Sequence, residues 1–234
     1  MNPGGNAVKT RTVETLAKTI DHSLLNPVMT DSILLEGIEI ARKHKVASVC
    51  IKPYFVPKAV EILKGSGVEV GTVIGFPHGG HTTATKAAEA RQALEEGATE
   101  LDMVVNIGKV LSEDWAYVEA DLKAVVDLCK ARRALSKVIF ENCYLQDQHK
   151  IKLCQICEKI GADFVKTSTG YGTSGATNED LKLMRANVSP KVQVKAAGGV
   201  RDLNRLLEVL DLGVTRVGAT ATVKILEEAA QRFK

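Results

Sequence analysis

Three ionisable residues interrupt short, otherwise apolar runs of β-forming residues, where an unpaired charge would be costly to bury. They are Asp102, Lys166 and Lys195. When two ammonium groups lie close together, one loses its proton more easily, and a neutral lysine amine attacks carbonyls to form a Schiff base. The resulting iminium acidifies the neighbouring carbon, and Asp102 could orient a water molecule that moves the proton. These residue types together favour class I aldolase chemistry, which needs no metal or other cofactor.

The elements that must position these residues alternate regularly along the chain. Four helix-like segments end in a glycine that is followed by a β-rich run, at Gly67, Gly97, Gly161 and Gly213. The intervals fit strand–helix units of about 30 residues each. Four further strands are predicted at Ile20–Ser23, Ser48–Ile51, Val138–Phe140 and Val192–Ala196. Eight amphipathic helices are predicted at Asp31–His44, Pro57–Lys64, Thr83–Glu96, Trp115–Ala131, Asp147–Ile160, Asn178–Asn187, Leu203–Leu212 and Thr222–Phe233.

Eight alternating strand–helix units predict a parallel α/β sheet, and their number favours a closed (β/α)8 TIM barrel over an open sheet. No linker interrupts the pattern, so we expect residues 1–234 to form one domain, with residues 1–12 as a flexible tail. In such a barrel the apolar alternate positions of a strand face the helices. Glu100, Asp102, Lys166 and Lys195 then face the interior, and the last three lie near the carboxyl ends of their strands, where barrel enzymes place their chemistry. A purely structural Lys–Asp pair would give the same alternation.

Six segments of the chain resemble, in the same order, those of the deoxyribose-phosphate aldolase family. They are Ile20-Asp-His-Ser-Leu-Leu-Asn-Pro, Val49-Cys-Ile-Lys-Pro, Val73-Ile-Gly-Phe-Pro-His-Gly, Leu101-Asp-Met-Val-Val-Asn-Ile-Gly, Phe164-Val-Lys-Thr-Ser-Thr-Gly-Tyr-Gly-Thr-Ser-Gly-Ala-Thr and Lys195-Ala-Ala-Gly-Gly-Val-Arg. The resemblance extends from about residue 16 to 226. It implies that Lys166 forms the Schiff base, that Asp102 relays the proton and that Lys195 perturbs Lys166. It also implies reversible cleavage of 2-deoxy-D-ribose 5-phosphate to D-glyceraldehyde 3-phosphate and acetaldehyde, in deoxynucleoside breakdown.

A phosphate group is expected on the backbone amides of glycine-rich loops that follow the strands. The residues predicted to bind it are Thr169, Gly170, Gly198, Gly199, Arg201, Gly218, Ala219 and Thr220. Thr220 and Ala221 stand where the family usually has two serines, which puts side-chain hydroxyl contacts in doubt but not backbone contacts. Asn142 follows Glu141 where threonine is commoner, and the C-terminal tyrosine of some family members is absent.

The composition limits the partners and the compartment. Lysine and arginine number 31 against 28 acidic residues, and aromatic residues make up 4 %, which argues against a nucleic-acid-binding surface. No apolar stretch approaches the roughly 20 residues of a membrane span. The five cysteines are scattered, which fits a reducing, cytoplasmic location. The expected partners are small phosphosugars and aldehydes, and the family resemblance suggests a homodimer.

Two alternatives to a Schiff-base aldolase remain open at this stage. His78 and His81, with His22 or Glu141 as a third ligand, could hold a metal ion, which would suit a metal-dependent lyase or a sugar-phosphate isomerase on the same barrel. The second alternative is a non-catalytic barrel that binds phosphosugars. The segment 170–175 also matches the spacing of a dinucleotide-binding loop, but a lysine-bearing strand precedes it and only two strands follow it.

Overall fold

Eight parallel strands close into a barrel in the computed structural model, which describes residues 11–233. The strands are β1 (Ile20–Leu24), β2 (Ser48–Ile51), β3 (Glu69–Ile74), β4 (Glu100–Val104), β5 (Leu135–Ile139), β6 (Phe164–Lys166), β7 (Gln193–Ala197) and β8 (Arg216–Ala219). Each strand pairs with its neighbours in the chain, and β8 pairs with β1, so the closed sheet has no open edge. The predicted (β/α)8 barrel is confirmed. Residues 1–10 of the expected tail lie outside the described residues, and Thr12 caps the first helix.

Ten α-helices lie within the described part of the chain. They are α1 (Val13–Ala17), α2 (Asp31–His44), α3 (Val56–Leu63), α4 (Thr83–Glu95), α5 (Ile107–Leu111), α6 (Trp115–Arg132), α7 (Asp147–Ile160), α8 (Asn178–Ala186), α9 (Leu203–Asp211) and α10 (Thr222–Arg232). All eight predicted helices are present, with boundaries within one residue of the prediction. Helices α1 and α5 were not predicted, because five residues are too few to display a helical period. Between residues 11 and 233, no helix is both long and apolar enough to cross a membrane.

Local chemistry explains where several of these helices begin. Thr30, Thr82 and Thr177 precede α2, α4 and α8, and each side-chain oxygen accepts a hydrogen bond from the backbone N–H three residues later. These bonds satisfy donors that the first turn of a helix leaves free. Gly161 ends α7 in the left-handed conformation, with φ of 70°, that glycine adopts without strain.

The strands separate an apolar outer layer from a polar interior. Leu101, Val165 and Val194 are fully buried in the core between the barrel and the helices. Asp102 of β4 and Lys137 of β5 occupy the same register position on adjacent strands, so both side chains project to the inner face. The fifth strand was predicted at Val138–Phe140, and its predicted first residue was wrong. β5 begins at Leu135 and therefore includes Lys137. The barrel interior therefore holds a lysine that the sequence prediction placed outside the strand.

An ion pair between Lys86 and Asp121 is buried between the helices, away from the barrel interior. Lys86 of α4 and Asp121 of α6 are both buried, and the Nζ of Lys86 lies 2.6 Å from the Oδ2 of Asp121. Lys86 also donates to the carbonyl oxygen of Val104, and the hydroxyl of Thr83 donates to Asp121. The pair thus ties α4, α6 and the end of β4 together.

We expect Lys86→Met to lower the free energy of unfolding by about 3–5 kcal/mol, because it leaves the Asp121 carboxylate buried without its cation. Lys123→Met is the matched control, since Lys123 forms an exposed ion pair with Asp127 on the same helix α6 and should contribute less than about 1 kcal/mol. Urea unfolding followed by circular dichroism measures both changes. Equal losses in the two variants would contradict this account.

Candidate active site

A cavity of about 390 Å³ opens at the carboxyl ends of the strands, and we call it the mouth cavity. Lys166 and Lys195 line it, together with Asp21, Cys50 and Tyr171. All eight residues that were predicted to bind phosphate line it as well, namely Thr169, Gly170, Gly198, Gly199, Arg201, Gly218, Ala219 and Thr220. The fold therefore brings the reactive lysines and the glycine-rich loops into one cavity.

Asp102 lies directly beneath the mouth cavity and contacts both predicted lysines. The Nζ atoms of Lys166 and Lys195 each lie 2.7 Å from the same carboxylate oxygen, Oδ2 of Asp102. Asp102 is completely buried, whereas the Lys166 side chain keeps about 4 % of its surface exposed to the cavity. Two lysine amines thus share one carboxylate oxygen, and Lys166 is the more exposed of the two, at 4 % against 1 % for Lys195.

Lys137 is a third lysine at this site, and the sequence analysis missed it. Its Nζ lies 2.8 Å from Oδ1 of Asp102 and 2.6 Å from Oε2 of Glu100, and it approaches Asp21 to 3.6 Å. The two consecutive polar residues Ser136 and Lys137 hide the apolar alternation of β5. A signal was available nonetheless, since Lys137 stands two positions before the buried Ile139 on the same face of β5.

Asp21 and Arg216 complete the charged interior on the far side of the barrel. Asp21 of β1 lies 2.5 Å from the Nζ of Lys195. The Nε of Arg216, on β8, donates to the other oxygen of Asp21 at 2.7 Å, and its Nη2 donates to Glu100. Both residues belong to predicted strands, but their partners are distant in the chain, so no local pattern distinguished them from surface charges.

Burial and neighbouring charges move the pKa values of the three lysines in different directions. Burial and the repulsion of Lys195 lower the pKa of Lys166, although Asp102 attracts its proton. Burial also opposes the charges of Lys137 and Lys195, but their carboxylate partners outweigh it and raise the pKa of each. Asp102 is held well below its usual pKa by the three lysines despite its burial. Lys166 is therefore the lysine from which a proton leaves most easily.

The loops at the other end of the mouth cavity expose backbone donors. Gly170 and Gly199 adopt left-handed conformations, with φ of 91° and 89°, and a Cβ atom at either would have no atom within 4 Å. Within residues 11–233, the N–H groups of Gly170, Gly199 and Thr220 donate to no backbone carbonyl. Helix α10 begins beside them after Ala221, with no side chain capping its first turn. Free N–H groups and a helix start are features that suit an anion.

The two glycine-rich loops are fastened to each other and to the strand before them. The N–H of Ala176 donates to the carbonyl oxygens of Ala197 and Gly198, both at 3.1 Å, and Gly175 packs against the backbone of Gly198. Thr169 lines the cavity, but its N–H and hydroxyl both donate to the buried carboxylate of Glu141. Thr169 therefore orders the loop that carries Gly170 and has no donor left for a ligand.

The alternative metal site is not assembled. His22 lies on the outer face of β1, where its Nδ1 is 2.8 Å from the hydroxyl of Thr222, and burial lowers its pKa to about 4. The carboxylate of Glu141 already accepts hydrogen bonds from the N–H and the hydroxyl of Thr169. In the described range 11–233, no three His, Cys, Asp or Glu side chains are arranged to hold a metal ion. His78 and His81 thus find neither of the predicted third ligands beside them.

Comparison with known proteins gives concordant matches over most of the chain. The model of the DeoC/LacD family aldolases matches residues 15–224. The chain is 56 % identical to a deoxyribose-phosphate aldolase of Rhodopirellula baltica, covering 93 % of this chain and 90 % of that one. It is 46 % identical to the enzyme of the same name from Clostridium tetani, with 92 % and 99 % covered. A solved deoxyribose phosphate aldolase from Aeropyrum pernix, described as tetrameric, superposes with a TM-score of 0.87 at 31 % identity and covers 94 % and 93 %.

The contacts predict effects of different size on stability when two of the buried lysines are replaced. Lys137→Met removes a cation that three carboxylates share, so it should lower the free energy of unfolding by at least about 3 kcal/mol. Lys166→Met removes an amine that contacts Asp102, a carboxylate that keeps two other lysines as partners, so it should change that free energy by less than about 1 kcal/mol, or raise it. Urea unfolding of both variants at pH 7 tests this contrast. A Lys166→Met protein as unstable as Lys137→Met would refute it.

Proposed function

Because the chain belongs to the DeoC/LacD family of aldolases, we propose that it cleaves 2-deoxy-D-ribose 5-phosphate reversibly to D-glyceraldehyde 3-phosphate and acetaldehyde. As a class I aldolase it joins its carbonyl substrate to a lysine. The observation that carries the proposal is Lys166, a buried lysine with a lowered pKa that opens onto the mouth cavity beside free backbone donors. The relatives from Rhodopirellula baltica and Clostridium tetani bear the name of this activity.

Lys166 is the nucleophile in this proposal. A neutral amine is needed for attack, and among the three lysines only Lys166 has a lowered pKa. It is also the one with the most exposed side chain, at 4 % against 1 % for Lys137 and Lys195. Lys137 and Lys195 are each held by more than one carboxylate, which keeps them protonated.

The reaction then proceeds through an iminium on Lys166. The amine adds to C1 of the open-chain sugar, and loss of water gives the iminium. The C3 hydroxyl loses its proton, the C2–C3 bond breaks, and its electron pair moves into the C1–C2 bond to form an enamine, while C3 becomes the aldehyde of glyceraldehyde 3-phosphate. The enamine takes up a proton at C2, and water hydrolyses the new iminium to release acetaldehyde and the free amine.

Asp102 and Lys195 handle the protons in these steps. Their 2.7 Å hydrogen bond joins a carboxylate to an ammonium next to the reacting nitrogen, so a proton can pass between the substrate side and the buried pair. Once Lys166 has become an iminium, the carboxylate of Asp102 also stabilises its fixed positive charge. The pair acts without a metal ion or another cofactor.

The phosphate occupies the end of the mouth cavity formed by the loops after β6, β7 and β8. Its oxygens accept hydrogen bonds from the N–H groups of Gly170, Gly199 and Thr220, and the start of α10 adds a favourable dipole. Arg201 lines the same end and supplies a positive charge. Gly198, Gly218 and Ala219 contribute the backbone against which the phosphate rests. We further propose that the enzyme acts as a homodimer in the cytoplasm, in deoxynucleoside breakdown.

Borohydride reduction in the presence of acetaldehyde should attach one ethyl group to Lys166, because hydride fixes the iminium as a secondary amine. Intact mass gives the number of adducts, and peptide mapping gives the residue. Lys166→Met should form no adduct at the site. An adduct at Lys137 or Lys195 in the active enzyme, or an active enzyme without an adduct, would reject the proposed mechanism.

The backbone donors should make the enzyme prefer the phosphorylated sugar by about 10²-fold or more in kcat/KM. Two hydrogen bonds to a charged group at about 1.5 kcal/mol each give this ratio, at about 1.4 kcal/mol per decade. Gly199→Val should lose the preference, because φ of 89° suits only glycine and the new side chain enters the cavity. Thr220→Ala should keep it, since the backbone donor remains. The measurement compares kcat/KM for 2-deoxyribose 5-phosphate and 2-deoxyribose.

Gly65→Val is the matched control for backbone strain. Gly65 has φ of 75° and equally open space around its Cβ position, but it lies after α3, away from the mouth cavity. It should keep the preference for the phosphorylated sugar. A wild-type enzyme with no preference would remove the phosphate site, and a loss confined to Thr220→Ala would assign it to side chains.

A further inference from the structure

Six charged side chains inside the barrel form a closed ring in which cations and carboxylates alternate. In order around the ring they are Arg216, Asp21, Lys195, Asp102, Lys137 and Glu100, which returns to Arg216. From Arg216 round to Glu100, the nitrogen–oxygen distances of five of these six contacts are 2.7, 2.5, 2.7, 2.8 and 2.6 Å. Each member touches one oppositely charged neighbour on either side, so three positive and three negative charges balance.

Lys166 stands outside this ring. Within residues 11–233, its one carboxylate contact is the Oδ2 atom of Asp102, which already accepts from Lys195. With Lys166 neutral, the buried group of seven side chains carries no net charge. A proton on Lys166 would leave one uncompensated positive charge in a low-dielectric interior, which is costly.

We propose that Arg216 and Glu100 are positioning residues for Schiff-base formation: by completing a charge-neutral ring, they make Lys166 the surplus cation and so keep it as the neutral amine. This inference rests on the proposed role of Lys166 as the nucleophile. Neither Arg216 nor Glu100 belongs to the lining of the mouth cavity, so neither meets the substrate. They act through the four ring members between them and Lys166.

Arg216 is suited to this role because its charge does not depend on pH. A guanidinium remains protonated at any pH that a protein survives, so it contributes a fixed charge, unlike a lysine. Its fork joins two different carboxylates, Asp21 through Nε and Glu100 through Nη2. It also packs 5.8 Å from the ring of Phe164, two residues before Lys166 on β6.

The barrel presents Lys166 with few other ionisable groups. Those facing it from the strands are Asp21 on β1, Cys50 on β2, Glu100 and Asp102 on β4, Lys137 on β5, Lys195 on β7 and Arg216 on β8. On β3 the inward positions are Gly71 and Val73, which carry no charge. Tyr171 and Arg201 line the mouth cavity above Lys166. Burial and the Asp102 charge raise the pKa of the Cys50 thiol to about 11, so Cys50 is neutral at physiological pH.

The ring predicts shifts of opposite sign for its two positioning residues. In Arg216→Gln the ring loses a positive charge, so a proton on Lys166 restores neutrality and its reactivity should require a pH about one unit higher. In Glu100→Gln the ring gains a net positive charge, so Lys166 should react at a pH about one unit lower. The readout is the rate of adduct formation on Lys166 with acetaldehyde and cyanoborohydride across pH, relative to the wild type at each pH.

Two further variants separate charge from shape and guard against misfolding. The double variant Arg216→Gln/Glu100→Gln removes one charge of each sign and leaves neither residue as a charged group without its partner, so it should fold. Its rate of adduct formation on Lys166 should depend on pH as in the wild type. Arg216→Lys keeps the charge but loses the fork, and it should also follow the wild type. Circular dichroism melting establishes that each variant is folded.

The outcomes distinguish this inference from the function on which it rests. Shifts in the same direction for both single variants, or a double variant shifted as far as Arg216→Gln, would overturn the ring. An unchanged pH dependence in both single variants, with the adduct still on Lys166, would overturn the ring and leave the nucleophile assigned. A wild-type protein that forms no adduct on Lys166 would overturn both.

Discussion

The constraint on which this structure depends is that a closed barrel offers no water to the charges inside it. Desolvation penalises each buried ion, and only an opposite charge at hydrogen-bond distance compensates for it. The barrel meets this demand by placing carboxylates and cations from five strands at alternating positions, from Asp21 on β1 to Arg216 on β8. The apolar layer outside the strands supplies the packing, whereas the interior supplies a fixed electrostatic pattern.

The reactivity of Lys166 follows from that pattern more than from any single neighbour. Lys137 and Lys195 are chemically identical to it and are also buried, yet the surrounding carboxylates raise the pKa of both. What distinguishes Lys166 within residues 11–233 is that it contacts a single carboxylate, that of Asp102, and has the most exposed side chain of the three. The number of carboxylates that each amine contacts thus determines which lysine is the nucleophile. The catalytic pair of Asp102 and Lys195 belongs to the same ring of charged side chains.

Much of this arrangement could be predicted from the sequence, and there are physical reasons why the rest could not. The inward orientation of Asp102 and Lys195 could be predicted because apolar residues alternate with them along their strands. Lys137 was missed because it follows a second polar residue, which masks the period and moved the predicted start of β5. Arg216 and Asp21 were in predicted strands, but they are 195 positions apart, and a pairing over that distance leaves no local pattern. The neutrality of the group emerges only when all the strands are brought together.

The contact between Gly175 and Gly198 limits how this barrel can diversify. A Cβ atom at Gly198 would come within 2.8 Å of the Gly175 Cα, and one at Gly175 would collide with the Gly198 carbonyl, so neither glycine can acquire a side chain while the other loop keeps its place. A single substitution at either glycine therefore introduces a side chain that clashes with the other loop. A side chain at this place requires a coordinated change in the paths of both loops.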